Sequence, residues 1–254
     1  MIRLEKLPGR IAVLYLDNPP LNILNLQMTG QLIDLTTQIE NDDEIRVLII
    51  TGAGEKAFCA GADIKEFVAV RDHVVEKKLR RENEALLKIE NLSKPVIAAI
   101  NGVALGGGCE IALACDIRFM DEDLKMGLPE VKLGVFPGSG GLYRLPEIVG
   151  ISHAMELMYT GEMISAQEAF RIGLINHITE PHHALSSAKE LAEKIAKQPK
   201  HSLSFIKQGV RRSMELNRHD AIEYNLELSD KVFKTEDCDE GVKAFFEKRA
   251  PHFK

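Results

Sequence analysis

Two short runs, Arg46-Val-Leu-Ile-Ile-Thr51 and Pro95-Val-Ile-Ala-Ala-Ile100, constrain the fold most. Both are apolar at almost every position, as in a strand covered on both faces. Such strands belong to a mostly parallel sheet whose helical crossovers lie above and below it. The neighbouring segments agree. Residues 10–17 read as a strand closed by the turn Asn18-Pro19-Pro20. Over residues 27–40, Met28, Leu32, Leu35 and Ile39 recur at helical spacing. Gly52-Ala53-Gly54 ends one strand, residues 64–92 are mostly helical and charged, and residues 117–120 form another strand. The class is therefore α/β.

The second half reads as nearly all helix. Ser165-Ala166-Gln167-Glu168 predicts a capping box, and Gly173 stops the short helix behind it. Helical patterns follow at 184–197, 202–215 and 220–233. A last helix spans about 238–249, with Asp237 as its cap and Glu240 at the third position. This division predicts an α/β core over 1–195 and a C-terminal helical lobe over 196–254 that packs on a neighbour.

Several function classes are disfavoured at once. A net charge of −6 over 254 residues argues against a general nucleic-acid binder. No stretch reaches the ~18 apolar residues of a membrane span. Charges interrupt Met1-Ile-Arg-Leu-Glu-Lys6 before a signal-peptide core can form. Four cysteines make no CxxC pair, and two lie in apolar segments as buried free thiols. A cytoplasmic location is the expectation.

The chemistry concentrates in Asn101 to Asp116, where Gly106, Gly107 and Gly108 separate an apolar strand from an apolar helix. Glycine lets the backbone approach a ligand closely, and a helix N-terminus offers free N–H groups with partial positive charge. Glu110 follows in the first helical turn, where the helix position favours its charged form. An anion-stabilising amide beside a carboxylate suits acid/base chemistry on a carbonyl compound. Better-known glycine loops do not fit. A dinucleotide fingerprint from Gly106 would end on Ile111, and a phosphate loop from Gly102 meets Gly108 where lysine is needed. A nucleophile elbow at Ser139 would have Pro137 in place of glycine. The other reading of the triple glycine is a turn that packs a helix tightly against a sheet.

Three more segments carry candidate chemistry. Residues 57–66 hold small residues that let the Ala62 backbone approach a ligand, giving a second amide for a two-donor oxyanion hole. In Met126-Gly-Leu-Pro-Glu130, Pro129 fixes the backbone before a glutamate among apolar neighbours. Val135 to Gly141 is a cavity wall or a loop. Glu110 and Glu130 stand out among 38 acidic residues because both are embedded in apolar or glycine-rich sequence. A carboxylate in such a place is paired, protonated or functional, and two could divide acid and base roles over one water.

The segments CAGADIKEF at 59–67, AAINGVALGGGCEIALACDIR at 98–118, GLPEVKLGVFPGSGG at 127–141 and EGVKAFFEKRAPHF at 240–253 resemble the enoyl-CoA hydratase (crotonase) family, in the family's order. The resemblance implies a spiral of ββα units with a C-terminal helical trimerisation lobe, assembled as a trimer or a dimer of trimers. It implies an acyl-CoA thioester substrate, with coenzyme A part of the substrate and no metal or other cofactor. The amides of Ala62 and Gly107 match the oxyanion hole. Glu110 matches the glutamate that activates water at the β-carbon, and Glu130 the one that exchanges the α-carbon proton. Leu21, Ala60, Asp63, Ile64, Gly106, Pro129 and Gly138 match substrate-binding positions. Phe245 and Lys248 match positions that reach a neighbouring subunit's coenzyme A.

The chain departs from the family pattern at Leu128, at Leu142-Tyr143 and in a loop at 17–22 that is one residue short, all bordering the acyl pocket or its supports. The rival readings are an enoyl-CoA isomerase, which commonly needs only the glutamate matching Glu130, and an RNA-binding member of the family. The basic pairs Arg80-Arg81 and Arg211-Arg212 read as solvated helix faces, and His182-His183 as a surface pair. Met155 and Met158 read as core filler.

Overall fold

The structure, a computed structural model, describes residues 1–253. The chain begins with β1 (Ile2–Leu7), β2 (Ile11–Leu16) and α1 (Leu26–Glu40). Two similar units follow: β3 (Val47–Gly52), β4 (Ala57–Cys59), α2 (Ile64–Ala69) and α3 (Arg80–Glu90); then β5 (Val96–Ile100), β6 (Val103–Leu105) and α4 (Gly107–Ala114). A third opens with β7 (Ile117–Asp121) and β8 (Lys125–Gly127) and turns through a 3-10 segment, Glu130–Leu133. In each unit the first strand joins one sheet and the second strand another. The large sheet has the order β1-β2-β3-β5-β7 and ends on β10 (His177–Thr179). The small sheet has the order β4-β6-β8 and ends on β9 (Ile164–Ser165). This is the expected ββα spiral.

The fully apolar strands are covered on both faces, as their composition requires. Leu48 and Ile50 of β3 face the main core with Phe58, Leu86 and Ile111. Val47 and Ile49 face the opposite way, onto α8 (Ala184–Ala196). That helix presents Ala184, Ala188 and Ala192 at i, i+4 spacing, and this small stripe lets it lie close to the sheet. Three buried cysteines, Cys59, Cys109 and Cys115, exceed the two expected. No helix among the described residues is long and apolar enough to cross a membrane.

Several local expectations are corrected. Residues 64–92 are broken: between α2 and α3 lie a 3-10 turn, Arg71–His73, and a π-helical turn, Val75–Leu79. Helices α5 (Gly141–Val149) and α6 (Ile151–Thr160) occupy a region left without elements. Ser165 caps α7 (Ala166–Arg171), accepting from the Glu168 N–H at 3.3 Å. The Glu168 carboxylate does not return to complete the box; Arg171, three residues on, binds it at 2.7 Å. The C-terminal helices are α9 (Lys200–Glu215), α10 (Arg218–Val232) and α11 (Glu236–Glu247). Thr235, not Asp237, caps α11 by accepting from the Cys238 N–H at 3.2 Å, and Glu240 pairs with Arg249 instead of bracing the cap. Met158 packs against the core, but Met155 is 45% exposed.

Arg80, Arg81 and Arg212 are exposed, whereas Arg211 is half-buried. Its guanidinium joins Glu90 and Asp116, 3.1 Å away, and so docks α9 onto α3 and the loop after α4. Its partners are the buried Glu90 and the half-buried Asp116, a pairing that charge content could not reveal.

The tight-packing reading of the triple glycine holds at one of its members. A Cβ on Gly108 would lie 2.0 Å from the Cys59 carbonyl oxygen. Backbone atoms on both sides of that contact have nowhere to go. Gly108→Ala is therefore expected to destabilise the protein by about 3 kcal/mol, read as a lower urea midpoint. An unchanged midpoint would mean that α4 and β4 are not so closely apposed.

Candidate active site

Strands β4, β6 and β8 are adjacent and parallel, so their C-terminal ends lie side by side. Open α/β sheets bind ligands at such ends. Here the chain leaves β4 toward Ala62, β6 toward Gly106-Gly107, and β8 toward Pro129-Glu130.

Ala62 forms a parallel bridge with Leu24. The bridge uses its neighbours: Leu24 N–H donates to the Gly61 carbonyl at 2.8 Å, and Asp63 N–H to the Leu24 carbonyl at 2.9 Å. The Ala62 N–H therefore points away from Leu24. Gly107 is the first residue of α4, so its N–H has no partner within the helix. A Cβ on Gly107 would lie 3.6 Å from the Ala62 nitrogen, so amides from two separate strand ends are neighbours. Gly106 turns the chain from β6 into α4 with φ 50°, a value that favours glycine.

Glu110 sits one turn into α4 and is 3% exposed. Its Oε1 accepts the N–H of Ser139 at 2.8 Å and of Gly141 at 2.9 Å. The Val135–Gly141 segment, read as a wall or a loop, is thus the clamp for this carboxylate. Burial pushes the Glu110 carboxyl up to about 7, with nearby Glu130 and Glu82 adding to the rise and the two amides opposing it. Helix position is expected to favour the charged form; loss of water, the largest cause, raises the carboxyl nonetheless.

Glu130 opens the 3-10 turn behind Pro129, and burial raises its pKa as well. Its Oε1 lies 3.0 Å from where a Cβ on Gly106 would be, a second reason for glycine there. Its Oε2 is buried without a hydrogen-bond partner among the described residues. Leu128 is buried, and its Cδ1 lies 3.1 Å from a Cβ position on Gly141, which is itself 3.3 Å from Glu110 Oε1. Leu128 and Pro137 thus put apolar surface beside the Glu110 carboxylate.

The remaining predicted residues lie beside Ala62, at the cap of α2, in the loop that holds Glu110, and on α11. The Leu21 carbonyl accepts the Ala60 N–H at 3.0 Å, and exposed Leu21 and Ile64 form an open rim beside Ala62. Asp63 caps α2, accepting from the Lys65 N–H at 2.8 Å. The Gly138 carbonyl accepts from Asn83 at 2.9 Å. Phe245 and Lys248 belong to α11 and its C-cap; Phe245 is 78% exposed and meets Phe246 edge-on. His182 and His183 are exposed. Sequence reasoning missed Ser139 and Gly141 as holders of Glu110, although the glycine-rich loop around them was a signal. It also missed the buried Lys78 and Glu82, which carried none.

A profile of the enoyl-CoA hydratase/isomerase family matches residues 6–254. The chain is 42% identical over 247 residues to a short-chain-enoyl-CoA hydratase of Clostridium acetobutylicum, covering 97% of this chain and 94% of that protein. It is 39% identical over 254 residues to a crotonyl-CoA hydratase of Syntrophomonas wolfei, covering 99% and 97%. A crystal structure of an enoyl-CoA hydratase from Bacillus anthracis superposes with a TM-score of 0.96 at 38% identity, covering 100% of this chain and 98% of that one. The four sequence motifs, the two-sheet spiral and these likenesses agree: the chain belongs to the enoyl-CoA hydratase/isomerase family.

Proposed function

We propose that the protein adds water across the 2,3 double bond of a trans-2-enoyl-CoA to give a 3-hydroxyacyl-CoA. The observation that carries this reading is the pairing of two neighbouring backbone amides, at Ala62 and Gly107, with buried Glu110 and half-buried Glu130 at the same three strand ends. In this reading the thioester oxygen sits between the N–H groups of Ala62 and Gly107. Electron density moves onto that oxygen as a nucleophile adds to the β-carbon, and the two donors stabilise the developing charge. Glu110, whose Oε1 is held by two amides, is the group with donors for its negative charge. It takes the proton of the attacking water as the C–O bond forms. Glu130, with a buried and unpartnered Oε2, carries the proton and delivers it to the α-carbon. One proton leaves Glu130 and one arrives on Glu110, so the pair returns to its starting state by internal transfer. No electrons are exchanged, and coenzyme A enters as part of the substrate.

Two glutamates favour hydration over isomerisation, which commonly uses a single one. Assembly as a trimer or dimer of trimers through the C-terminal helices belongs to the same proposal. Ile206, Val210 and Met214 form an exposed stripe at i, i+4 spacing on α9, and Phe233, Phe245 and Phe246 are more than 70% exposed. Apolar surface on this scale is what a subunit interface covers. Such a lobe would bring Phe245 and Lys248 to a neighbour's substrate.

A panel of trans-2-enoyl-CoA esters of increasing chain length tests the reading by loss of the conjugated thioester absorbance. Turnover is expected with crotonyl-CoA, and the panel reads how it changes with chain length. No turnover across the panel would overturn the hydratase reading in favour of an isomerase or a decarboxylase.

A further inference from the structure

Ser139, whose N–H holds Glu110, donates its own hydroxyl to Glu82 Oε2 at 2.8 Å. Ser139 is 3% and Glu82 4% exposed. The other oxygen, Glu82 Oε1, has no hydrogen bond but lies 3.0 Å from the Lys78 ammonium. Lys78 is 2% exposed and also reaches Glu66 of α2 at 3.4 Å. It stands in the π-helical turn Val75–Leu79, immediately before α3. Isolated π turns are rare and concentrate at functional sites.

A buried ion pair is a costly way to fill a core, since an apolar pair of similar volume often packs as well or better. Here the pair contacts the residue that clamps a candidate catalytic carboxylate. We propose that Lys78 and Glu82 are positioning residues: through Ser139 they hold the loop amides against Glu110, and their opposite charges set that carboxyl's affinity for its proton. The proposal rests on the reading of Glu110 as the base that activates water.

The charged and titratable groups around Glu110 come from four places. Glu130 comes from the turn after β8, and Glu82 with Lys78 from α3 and the turn before it. Cys109 is adjacent on α4, and Tyr143 stands on α5 beside Arg144, itself bound to Glu90. The Lys78–Glu82 pair differs from Arg144–Glu90 in that one of its members binds the Ser139 hydroxyl, and removing its two charges separately is expected to act on Glu110 with opposite sign. Glu82→Gln leaves the Lys78 cation uncompensated, which favours the Glu110 carboxylate and lowers its titration point. Lys78→Met leaves the Glu82 anion uncompensated, which raises it.

Two readouts are compared in the full-length protein. One is the acidic limb of the kcat–pH profile for crotonyl-CoA. The other needs no turnover: the carboxyl C=O stretch in an infrared pH titration, with Glu110→Gln identifying the Glu110 band. Displacements of about half a pH unit or more are expected, downward in Glu82→Gln and upward in Lys78→Met. Ser139→Ala is expected to lower kcat by about tenfold to a hundredfold at nearly constant KM, as a loosened clamp would. Limbs and bands that stay at the wild-type position, or move the same way in both variants, would overturn the proposal. If Lys78→Met does not fold, Glu82→Gln decides alone: an unmoved or upward shift overturns it. If wild-type protein hydrates no enoyl ester, the hydratase reading fails, while the infrared titration still decides the role of the pair.

Discussion

Glu110→Gln is expected to reduce hydration of crotonyl-CoA by about a thousandfold, with butyryl-CoA binding unchanged. The side-chain amide keeps an oxygen that can accept the N–H groups of Ser139 and Gly141, so the clamp survives. What is lost is the capacity to take a proton from water. The same substitution has an opposite consequence for stability. The folded protein binds the Glu110 proton more tightly than the unfolded chain does, because the carboxyl is pushed from 4.5 to about 7. A raised carboxyl pKa makes ionisation destabilising. The penalty is absent below the unfolded value, grows as pH rises between the two values, and is complete above the folded one. At pH 8 that amounts to about 3 kcal/mol, shrinking to about 1 kcal/mol or less at pH 5. Urea unfolding should therefore show Glu110→Gln to be more stable than wild type at pH 8, with most of the gain gone at pH 5. Retained hydration would remove the base role. A gain independent of pH would mean that Glu110 titrates normally.

Ala62→Pro is expected to lower kcat/KM by about a hundredfold to a thousandfold, the effect of deleting one oxyanion donor. Proline removes an N–H, and at this position the Leu24 bridge does not use it: that bridge runs through the Gly61 carbonyl and the Asp63 N–H. Gly61, at φ 111°, has no Cβ to clash with the proline ring. The substitution thus removes the donor without breaking that bridge, and a urea midpoint close to wild type is the check that the backbone accepts the proline φ. Full activity in a folded Ala62→Pro variant would show that the carbonyl oxygen is held elsewhere. A matching loss of stability would instead make Ala62 a structural residue.

How much of this was legible in the chain depended on the range of the interaction. β3 and β5 were legible because a strand covered on both faces must be apolar throughout, and helix α1 because its buried face repeats at i, i+4. Glu110 and Glu130 were legible as exceptions, acidic residues in apolar or glycine-rich sequence. The three-residue strands β4, β6 and β8 were not, since a period of two cannot show itself in three residues. Yet those strands bring Ala62, Gly107 and Glu130 together. The same limit hid Lys78, Glu82 and Arg211, which stand in charged helical segments where a solvated face is the ordinary reading.

The sequence by itself determined the α/β class, the helical C-terminal region, and the identity of the two glutamates and of the glycines beside them. These follow from local rules: apolar periodicity, and the cost of placing charge or glycine where neither belongs without cause. Only the tertiary structure decided that the three strand ends are neighbours, that Ser139 and Gly141 hold Glu110, and that Glu110 sits high on the pH scale. Each of these depends on contacts between residues dozens of positions apart and on the water those contacts exclude. Desolvation is a property of the packed assembly, so no window along the chain contains it.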